Sequence, residues 1–241
     1  MQTVTLNSGL ETETTMLSNA FPEVEVHGLW AGYGGSDVLQ DFELVVYGGE
    51  SVRLAGRNGS GKSTLLSCIT GSHKPRAGSI IIRGISLMDF PVEAKRLVGM
   101  SNGTCPFPYL TGHEHLAVVR RVYGLGAERI DALVKRFAAW ESVRSLNQEV
   151  RTYSHGMRQQ LSLLLAITHE PPLLLLDEAT DGLDKESQAD WSEYLDERKV
   201  AGGTLVYVAH KDGVASGFPA GRSIKVTRAY DGKKDDRKEE G

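Results

Sequence analysis

Residues 56–64 read Gly56-Arg57-Asn58-Gly59-Ser60-Gly61-Lys62-Ser63-Thr64, and this stretch fits the pattern G-x-x-x-x-G-K-[ST] at every fixed position. Residues 50–55 before it have the pattern of a short buried strand, and residues 63–69 after it have that of an amphipathic helix. Glycines allow a tight turn whose amide N–H groups point inward, and the N-terminus of the following helix adds the positive end of its dipole. The stretch therefore predicts a loop that cradles the phosphates of a nucleotide.

Three side chains of this loop suit a nucleotide that carries magnesium. Lys62 is expected to reach the β- and γ-phosphates, the Ser63 hydroxyl to ligate Mg²⁺, and Thr64 to contact a nearby phosphate. The other residues of the loop are expected to bind phosphate mainly through their backbone: Gly56, Arg57, Asn58, Gly59, Ser60 and Gly61. A glycine-rich turn that merely opens a helix is the alternative, and the later motifs of the chain favour the nucleotide site.

The composition is that of an ordinary globular protein, with 241 residues of which 40% are hydrophobic and 24% charged. A net charge of −4 gives no overall basic field, so we expect no nucleic-acid partner. Cys68 and Cys105 form neither a C-x-x-C pair nor a metal-ligand cluster, which predicts a reduced, cytoplasmic setting. Residues 163–167 are the longest apolar run and fall far short of the roughly 20 residues that span a bilayer. Membrane association is therefore expected to go through another chain.

The order of strand-like and helical segments predicts an α/β fold with a mostly parallel sheet. Runs at 24–30 and 38–46 flank a turn at 32–35 and predict an antiparallel β lead-in. Apolar strands are expected at 78–84, 173–176 and 204–208. From Thr111 the apolar period becomes helical, which predicts an α-helical subdomain at about 103–165 inserted into the core. The two terminal segments are polar, so we expect a disordered lead-in at 1–22 and a disordered charged tail at 230–241. The folded domain is expected between them, at 23–229.

Three further residues outside the loop have chemistry that a nucleotide site needs. Tyr33 lies upstream of the loop, where an aromatic ring could stack on adenine, although a simple turn tyrosine is the alternative. Asp177 and Glu178 end the all-leucine run, at the sheet edge where α/β folds bind ligands. Asp177 is expected to reach Mg²⁺ and Glu178 to polarise a water for attack on the γ-phosphate, whereas a plain helix cap is the alternative.

Five segments, in this order and spacing, resemble the motifs of an ABC transporter ATP-binding subunit. Residues 56–64 resemble Walker A, residues 153–157 the signature, residues 173–178 Walker B, residues 181–184 the D-loop, and His210 the switch histidine. The resemblance covers roughly residues 24–226 and implies a P-loop NTPase core. It is the signature between the two Walker motifs that separates ABC proteins from other P-loop ATPases.

This resemblance implies that two such domains pair head to tail around ATP. Ser154, His155 and Gly156 would then face the phosphate held by the partner, with Asp184 in the adjoining D-loop. It further implies that Glu178, His210 and Lys62 are the catalytic residues. The sequence departs from the family at His155, where glycine is usual, and at Asn102, which stands where a glutamine is expected as a ligand of Mg²⁺ and nucleotide. Asn102 keeps the amide but is one methylene shorter.

The resemblance is greatest to ATPases of exporters for drugs, peptides, polysaccharides or haem. It implies an ATP-hydrolysing, Mg²⁺-dependent subunit on the cytoplasmic face of the membrane, paired with itself or a similar subunit beneath separately encoded transmembrane chains. Two alternatives stay open. One is a soluble ABC ATPase that remodels or scaffolds another assembly. The other is a slow regulatory ATP-binding subunit, which Asn102 and His155 favour and Glu178 opposes.

Overall fold

The computed structural model describes residues 21–209, 218–219 and 221–228. The expected charged tail at 230–241, most of the lead-in and His210 lie outside the described residues. An antiparallel sheet of order β2-β1-β4-β5 opens the fold, and its strands are β1 Pro22–Tyr33, β2 Ser36–Tyr47, β4 Ala77–Ile82 and β5 Ile85–Ser86. This sheet confirms the predicted antiparallel lead-in.

The second sheet is parallel at every described pairing and has the order β6-β7-β8-β3-β9. Its strands are β3 Ser51–Ala55, β6 Val98–Ser101, β7 Leu173–Asp177, β8 Thr204–Val208 and β9 Arg222–Lys225. The structure therefore confirms the mostly parallel α/β core. The described helices are α1 Lys62–Ile69, α2 Pro91–Arg96, α3 Gly112–Tyr123, α4 Ala127–Arg136, α5 Glu141–Arg144, α6 His155–Ile167 and α7 Lys185–Val200.

The first hairpin is tighter than the sequence predicts. Tyr33 pairs with Ser36, so β1 continues through Tyr33 and only Gly34 and Gly35 form the turn. Both glycines have positive φ, +61° and +82°. Two consecutive residues with positive φ make the kind of turn that matches the twist of a hairpin. Tyr33 is therefore held at a strand end rather than in a loose turn.

Leucine side chains of β7 enter two separate cores on the two faces of the parallel sheet. Leu173 and Leu175 pack with the antiparallel sheet and α1, whereas Leu174 and Leu176 pack with the helical insertion, and all four are fully buried. Side chains alternate across a strand, so an uninterrupted apolar run is what a strand buried on both faces requires.

The helical insertion comprises α3, α4 and α5, between β6 and α6. The structure places Trp140 directly before α5 and Trp191 on α7, with ring centroids 6.3 Å apart and both side chains fully buried. The Trp140 Nε1–H donates to the Asp190 carboxylate at 3.1 Å. This contact joins the insertion to the core.

Four strands of the parallel sheet end at one edge, each followed by a segment of interest. The phosphate loop follows β3, Asn102 follows β6, Glu178 follows β7, and Ala209 follows β8. Because Val208 is aligned with both Asp177 and Leu54, the ends of β7, β8 and β3 lie side by side. Ligands of open α/β sheets bind at this carboxyl edge.

Candidate nucleotide-binding site

The phosphate loop turns between β3 and α1 and has no room for side chains at two of its glycines. Gly61 precedes α1 with φ +104°, and a Cβ placed on it would lie 2.8 Å from a methyl carbon of Leu39. A Cβ on Gly56 would lie 2.3 Å from the Val226 carbonyl oxygen. The loop is thus fixed against both the antiparallel sheet and the residue after β9, which keeps its backbone in one shape.

Lys62 is nine-tenths buried, and its ammonium lies across the loop. Its Nζ donates to the Gly56 carbonyl at 2.9 Å and to the Arg57 carbonyl at 3.1 Å. An ammonium has three N–H donors, so one remains for another acceptor even while both carbonyl contacts persist. The arrangement concentrates positive charge where the backbone amides of the loop and the N-terminus of α1 converge.

A cleft of about 460 Å³ runs beside the loop. It brings together the loop and two residues that are distant in the sequence, Tyr33 and Glu178, which the sequence analysis assigned to the same site. The lining is completed by Val38, Asn58, Gly59, Gly61, Lys62, Ser63 and Thr64. One concave surface therefore joins an aromatic ring, a phosphate cradle and a carboxylate.

Tyr33 is 61% exposed at the end of this cleft, and His73 lies against it. The two ring centroids are 4.5 Å apart with an interplanar angle of 42°. The His73 amide donates to the Ser67 carbonyl at 3.0 Å, so the turn that ends α1 fixes the position of His73. The turn after the helix that starts at the phosphate loop therefore carries a second aromatic ring to the Tyr33 end of the cleft. No local pattern in the sequence predicts this position for His73.

Asp177 and Glu178 differ in their surroundings. Among the described residues, Asp177 Oδ1 is a buried oxygen without a hydrogen-bond partner. A buried carboxylate oxygen without a donor is costly unless a cation satisfies it, so Asp177 fits a ligand of Mg²⁺. Glu178 has φ +53°, a conformation uncommon for residues other than glycine. Its amide donates to the Val208 carbonyl at 3.2 Å, which ties it to the end of β8.

Asn102 closes a local turn in the loop after β6. Its Oδ1 accepts hydrogen bonds from the Thr104 hydroxyl at 2.6 Å and the Thr104 amide at 3.2 Å. Both lone pairs of this oxygen are therefore engaged, and a contact with Mg²⁺ requires that at least one of these bonds be released. The role of Asn102 as a metal ligand stays a prediction.

Residues 154–156 lie outside the lining of this cleft. Ser154 caps α6, and its hydroxyl oxygen accepts from the Met157 amide at 3.1 Å, which leaves the hydroxyl proton for another acceptor. His155 and Gly156 both pack against Gly182 of residues 181–184. A Cβ on Gly182 would lie 2.7 Å from the His155 ring. The segment that begins at Ser154 therefore packs against residues 181–184 and does not line the cleft beside the phosphate loop of the same chain.

Asp184 caps α7 in this chain. Its carboxylate accepts from the Ser187 amide at 2.8 Å and from the Ser187 hydroxyl at 3.1 Å. The hydrogen bond from the Ser187 amide lowers the pKa of Asp184 below its usual range, and the hydrogen bond from the Ser187 hydroxyl acts in the same direction. The structure thus gives Asp184 a capping role that the sequence analysis did not assign, while its contact with nucleotide stays a prediction.

The parallel sheet, the loop and the cleft together define a P-loop nucleotide-binding fold. A family model described as "ABC transporter" matches residues 39–181. The uncharacterized ABC transporter ATP-binding protein YdbJ of Bacillus subtilis (strain 168) is 36% identical over 192 residues, which are 79% of this chain and 61% of that protein. The ABC transporter ATP-binding protein NatA of the same organism is 31% identical over 175 residues, 71% of each chain. The chain belongs to the ABC transporter family of ATP-binding proteins.

Solved structures agree with this assignment. A structure titled as the ATP binding subunit of an ABC transporter has a TM-score of 0.72 and 33% identity, with 78% of this chain and 79% of that chain covered. The dimeric, post-hydrolysis ATP-binding cassette MJ0796, with ADP and Pi bound, has a TM-score of 0.72 and 25% identity, with 85% and 94% covered. Relatives of both directions occur, such as the Nod factor export ATP-binding protein I of Azorhizobium caulinodans, 28% identical, and the spermidine/putrescine import protein PotA of Haemophilus influenzae, 27% identical.

Proposed function

We propose that this chain binds and hydrolyses ATP as one half of a dimer that powers a membrane transporter. The observation that carries the proposal is the cleft in which Tyr33, the phosphate loop and Glu178 meet while Ser154 lies outside. The cleft has the residues needed to bind ATP. Its described lining does not include the hydrogen-bond donors at residues 154–156, which are proposed to contact the γ-phosphate from the opposite side. A second copy, or a similar subunit, supplies Ser154, His155 and Gly156 across the interface, where the N-terminus of α6 attracts the γ-phosphate.

Within one half-site each residue has a distinct task. Lys62 and the loop amides bind the β- and γ-phosphates, while Tyr33 covers the base. Asp177, Ser63 and Asn102 would hold Mg²⁺, which when bound offsets the negative charge of the phosphates. Glu178 orients the attacking water and accepts the proton that the water loses as it attacks the γ-phosphate. His210 is proposed to contact the γ-phosphate, as the family resemblance implies.

Tyr33→Ala is expected to weaken ATP binding without unfolding the chain. Base stacking on an aromatic ring contributes roughly 1–3 kcal/mol, which corresponds to an increase in Kd of about 5- to 150-fold. Isothermal titration with ATP and with tripolyphosphate measures the effect. The loss is expected for ATP alone, because tripolyphosphate has no base. An equal loss for both ligands, or no loss for ATP, would leave Tyr33 with a structural role at the end of β1 and no role in binding the base. The control is Tyr109→Ala, which changes an exposed tyrosine outside the cleft.

ATP is expected to drive dimerisation. Because the phosphate loop and Ser154 of one chain do not share a cleft, the bound triphosphate gains its second set of donors only from a partner. Light scattering of a hydrolysis-slowed variant should give the monomer mass without nucleotide and twice that mass with ATP. Ser154→Ala should reduce the dimer fraction while leaving ATP binding by the monomer unchanged. A strict monomer at high protein concentration with ATP, even beside its membrane partner, contradicts the proposal.

An apolar stripe on the helical insertion is the surface proposed to contact transmembrane chains. Phe107, Val118 and Val122 are 50%, 42% and 58% exposed. Val118 and Val122 are four residues apart on α3, and the Phe107 ring lies 6.0 Å from that of His115 on the same helix, so the three share one face. Exposed apolar surface of this kind marks an interaction site. No helix within the described ranges has the length and apolarity to cross a membrane. The position that we propose for the subunit, from the family resemblance, is peripheral on the cytoplasmic face of the membrane.

Export is the direction that we propose. The signature Tyr-Ser-His-Gly-Met and the helix after it are the features that favour it. A vesicle experiment separates transport from the scaffold alternative. Membrane vesicles that carry a transmembrane partner of this subunit should bind the wild-type subunit and stimulate its hydrolysis of ATP. Binding should be lost in Val118→Asp and Val122→Asp variants. Hydrolysis that responds to a soluble assembly but not to these vesicles would favour the scaffold function instead.

A further inference from the structure

Gln159 is a buried amide on α6 that contacts the backbone of Glu178. Only 3% of its surface is exposed. Its Nε2 lies 3.4 Å from the Glu178 carbonyl oxygen, to which it donates. The residue thus reaches from the second turn of the helix that Ser154 caps to the end of β7.

The backbone of Glu178 needs such contacts because it is held in the left-handed region. A φ of +53° is strained for a residue with a side chain, and it persists only where surrounding bonds enforce it. The bonds that hold its backbone include one from its own amide to the Val208 carbonyl at 3.2 Å, one from the Asp181 amide to its carbonyl at 3.1 Å, and one from the Gln159 side-chain amide to the same carbonyl at 3.4 Å. The direction in which the Glu178 side chain leaves the backbone depends on this conformation.

The side-chain oxygen of Gln159 lies against the loop after β6. A Cβ placed on Gly103 would lie 2.0 Å from Gln159 Oε1, and Gly103 itself has φ +72°. The absence of a side chain at Gly103 is therefore what makes room for the amide. Asn102, the proposed metal ligand, is its immediate neighbour. One side chain thus touches both the loop that carries Asn102 and the residue proposed to orient water.

We propose that Gln159 is a positioning residue for hydrolysis, which holds Glu178 in its productive backbone conformation and ties that conformation to α6. The inference rests on the proposed role of Glu178 and adds the group through which the signature helix acts on it. A displacement of α6 relative to β7 would change the contact between Gln159 and the Glu178 carbonyl. Gln159 acts on turnover and not on the affinity for ATP.

The neighbouring Gln160 provides a matched comparison. It is equally buried, at 3% exposure, but its Oε1 accepts from the Ser142 amide at 2.9 Å and its Nε2 donates to the Ser187 hydroxyl at 2.8 Å. Gln160 therefore joins α5 and α7, whereas Gln159 joins Glu178 and Gly103. Loss of either amide costs stability, but only the loss of Gln159 is expected to act through Glu178.

A double-mutant cycle tests this inference in the full chain. Gln159→Met keeps the length of the side chain and removes the donor, and we expect turnover to fall about tenfold with an unchanged Kd for ATP, within the range of coupling between contacting residues. In a Glu178→Gln background the same change is expected to have no further effect on single-turnover hydrolysis. Gln160→Met is expected to reduce turnover by the same factor in both backgrounds. Thermal unfolding of every variant shows that each is folded under the assay conditions.

Three results would overturn the inference. Wild-type turnover in Gln159→Met is one, and an equal loss for Gln159→Met in both backgrounds is another. If Gln159→Met does not fold, Gln159→Glu replaces it, because a carboxylate of the same shape offers an acceptor to the Glu178 carbonyl and should also lower turnover. Wild-type turnover of the glutamate variant is the third. A Glu178→Gln protein that hydrolyses ATP normally would instead remove the role of Glu178 itself, and with it the basis for Gln159.

Discussion

A Glu178→Gln variant is expected to bind ATP as the wild type does and to hydrolyse it on the order of 10²-fold more slowly, or slower still. In its proposed role the carboxylate orients the attacking water and stabilises the positive charge that develops on it. The glutamine amide preserves the shape of the side chain and can still hydrogen-bond, but it lacks the negative charge of the carboxylate. Glu178 lines the cleft together with the phosphate loop, which supports its proposed role beside the γ-phosphate. Binding and chemistry should therefore separate in this variant.

Steady-state hydrolysis and the stoichiometry of trapped nucleotide measure the two effects on one protein preparation. ATP-bound dimers should accumulate, since the step that releases them is slowed. Glu93→Gln, which alters an exposed glutamate on α2, serves as the control and should leave turnover unchanged. If Glu178→Gln turned over at the wild-type rate, Glu178 would not be the base. If the wild type itself were inactive with its membrane partner, the regulatory alternative would replace the motor function.

The second large effect is expected for Lys62→Ala, which should weaken ATP binding by roughly 10- to 100-fold and abolish most hydrolysis. Hydrogen bonds to a charged group contribute about 1.5–3 kcal/mol each, and the nine-tenths burial of Lys62 reduces their screening by water. The substitution also removes the donor to the Gly56 and Arg57 carbonyls, so the loop loses a clamp as well as a charge.

Titration calorimetry with ATP and with tripolyphosphate should show similar losses for Lys62→Ala, in contrast to the selective loss for Tyr33→Ala. Lys135→Ala, at an exposed position of α4, is the matched control for removal of one positive charge. Chemical denaturation checks that the fold is retained. Undiminished hydrolysis in Lys62→Ala would rule out the proposed site.

Local patterns were sufficient to predict the core of this fold. The leucine run of β7 and the glycine spacing of residues 56–64 each depend on neighbours in the sequence, and the structure has a buried parallel strand and a strand-to-helix loop there. The sequence placed Tyr33 in a turn, whereas pairing with Ser36 extends β1 through it. That difference follows from hairpin geometry, which two glycines with positive φ determine only once both strands are aligned.

The parts of the site that sequence reasoning missed depend on contacts between distant segments. His73 meets Tyr33 across forty positions, and Gln159 meets both Gly103 and Glu178. The local pattern at Gln159 is a pair of consecutive glutamines in a leucine-rich helix, and this pattern does not predict which residues the glutamines contact. The assignments of ligand contacts to individual residues, and the domain limits, stay predictions.

The joint between the helical insertion and the core also gives the protein a native optical probe. The chain has three tryptophans, of which Trp140 and Trp191 form the buried pair across this joint, while Trp30 lies in the antiparallel sheet beneath the Arg76 guanidinium. Indole emission depends on the polarity and the neighbours of the ring, so the buried pair and Trp30 emit from different environments. A rigid-body motion of the insertion against α7 changes the first signal and leaves the second as an internal reference. The molecule can therefore report on its own subdomain movement in ordinary fluorescence, without an attached dye.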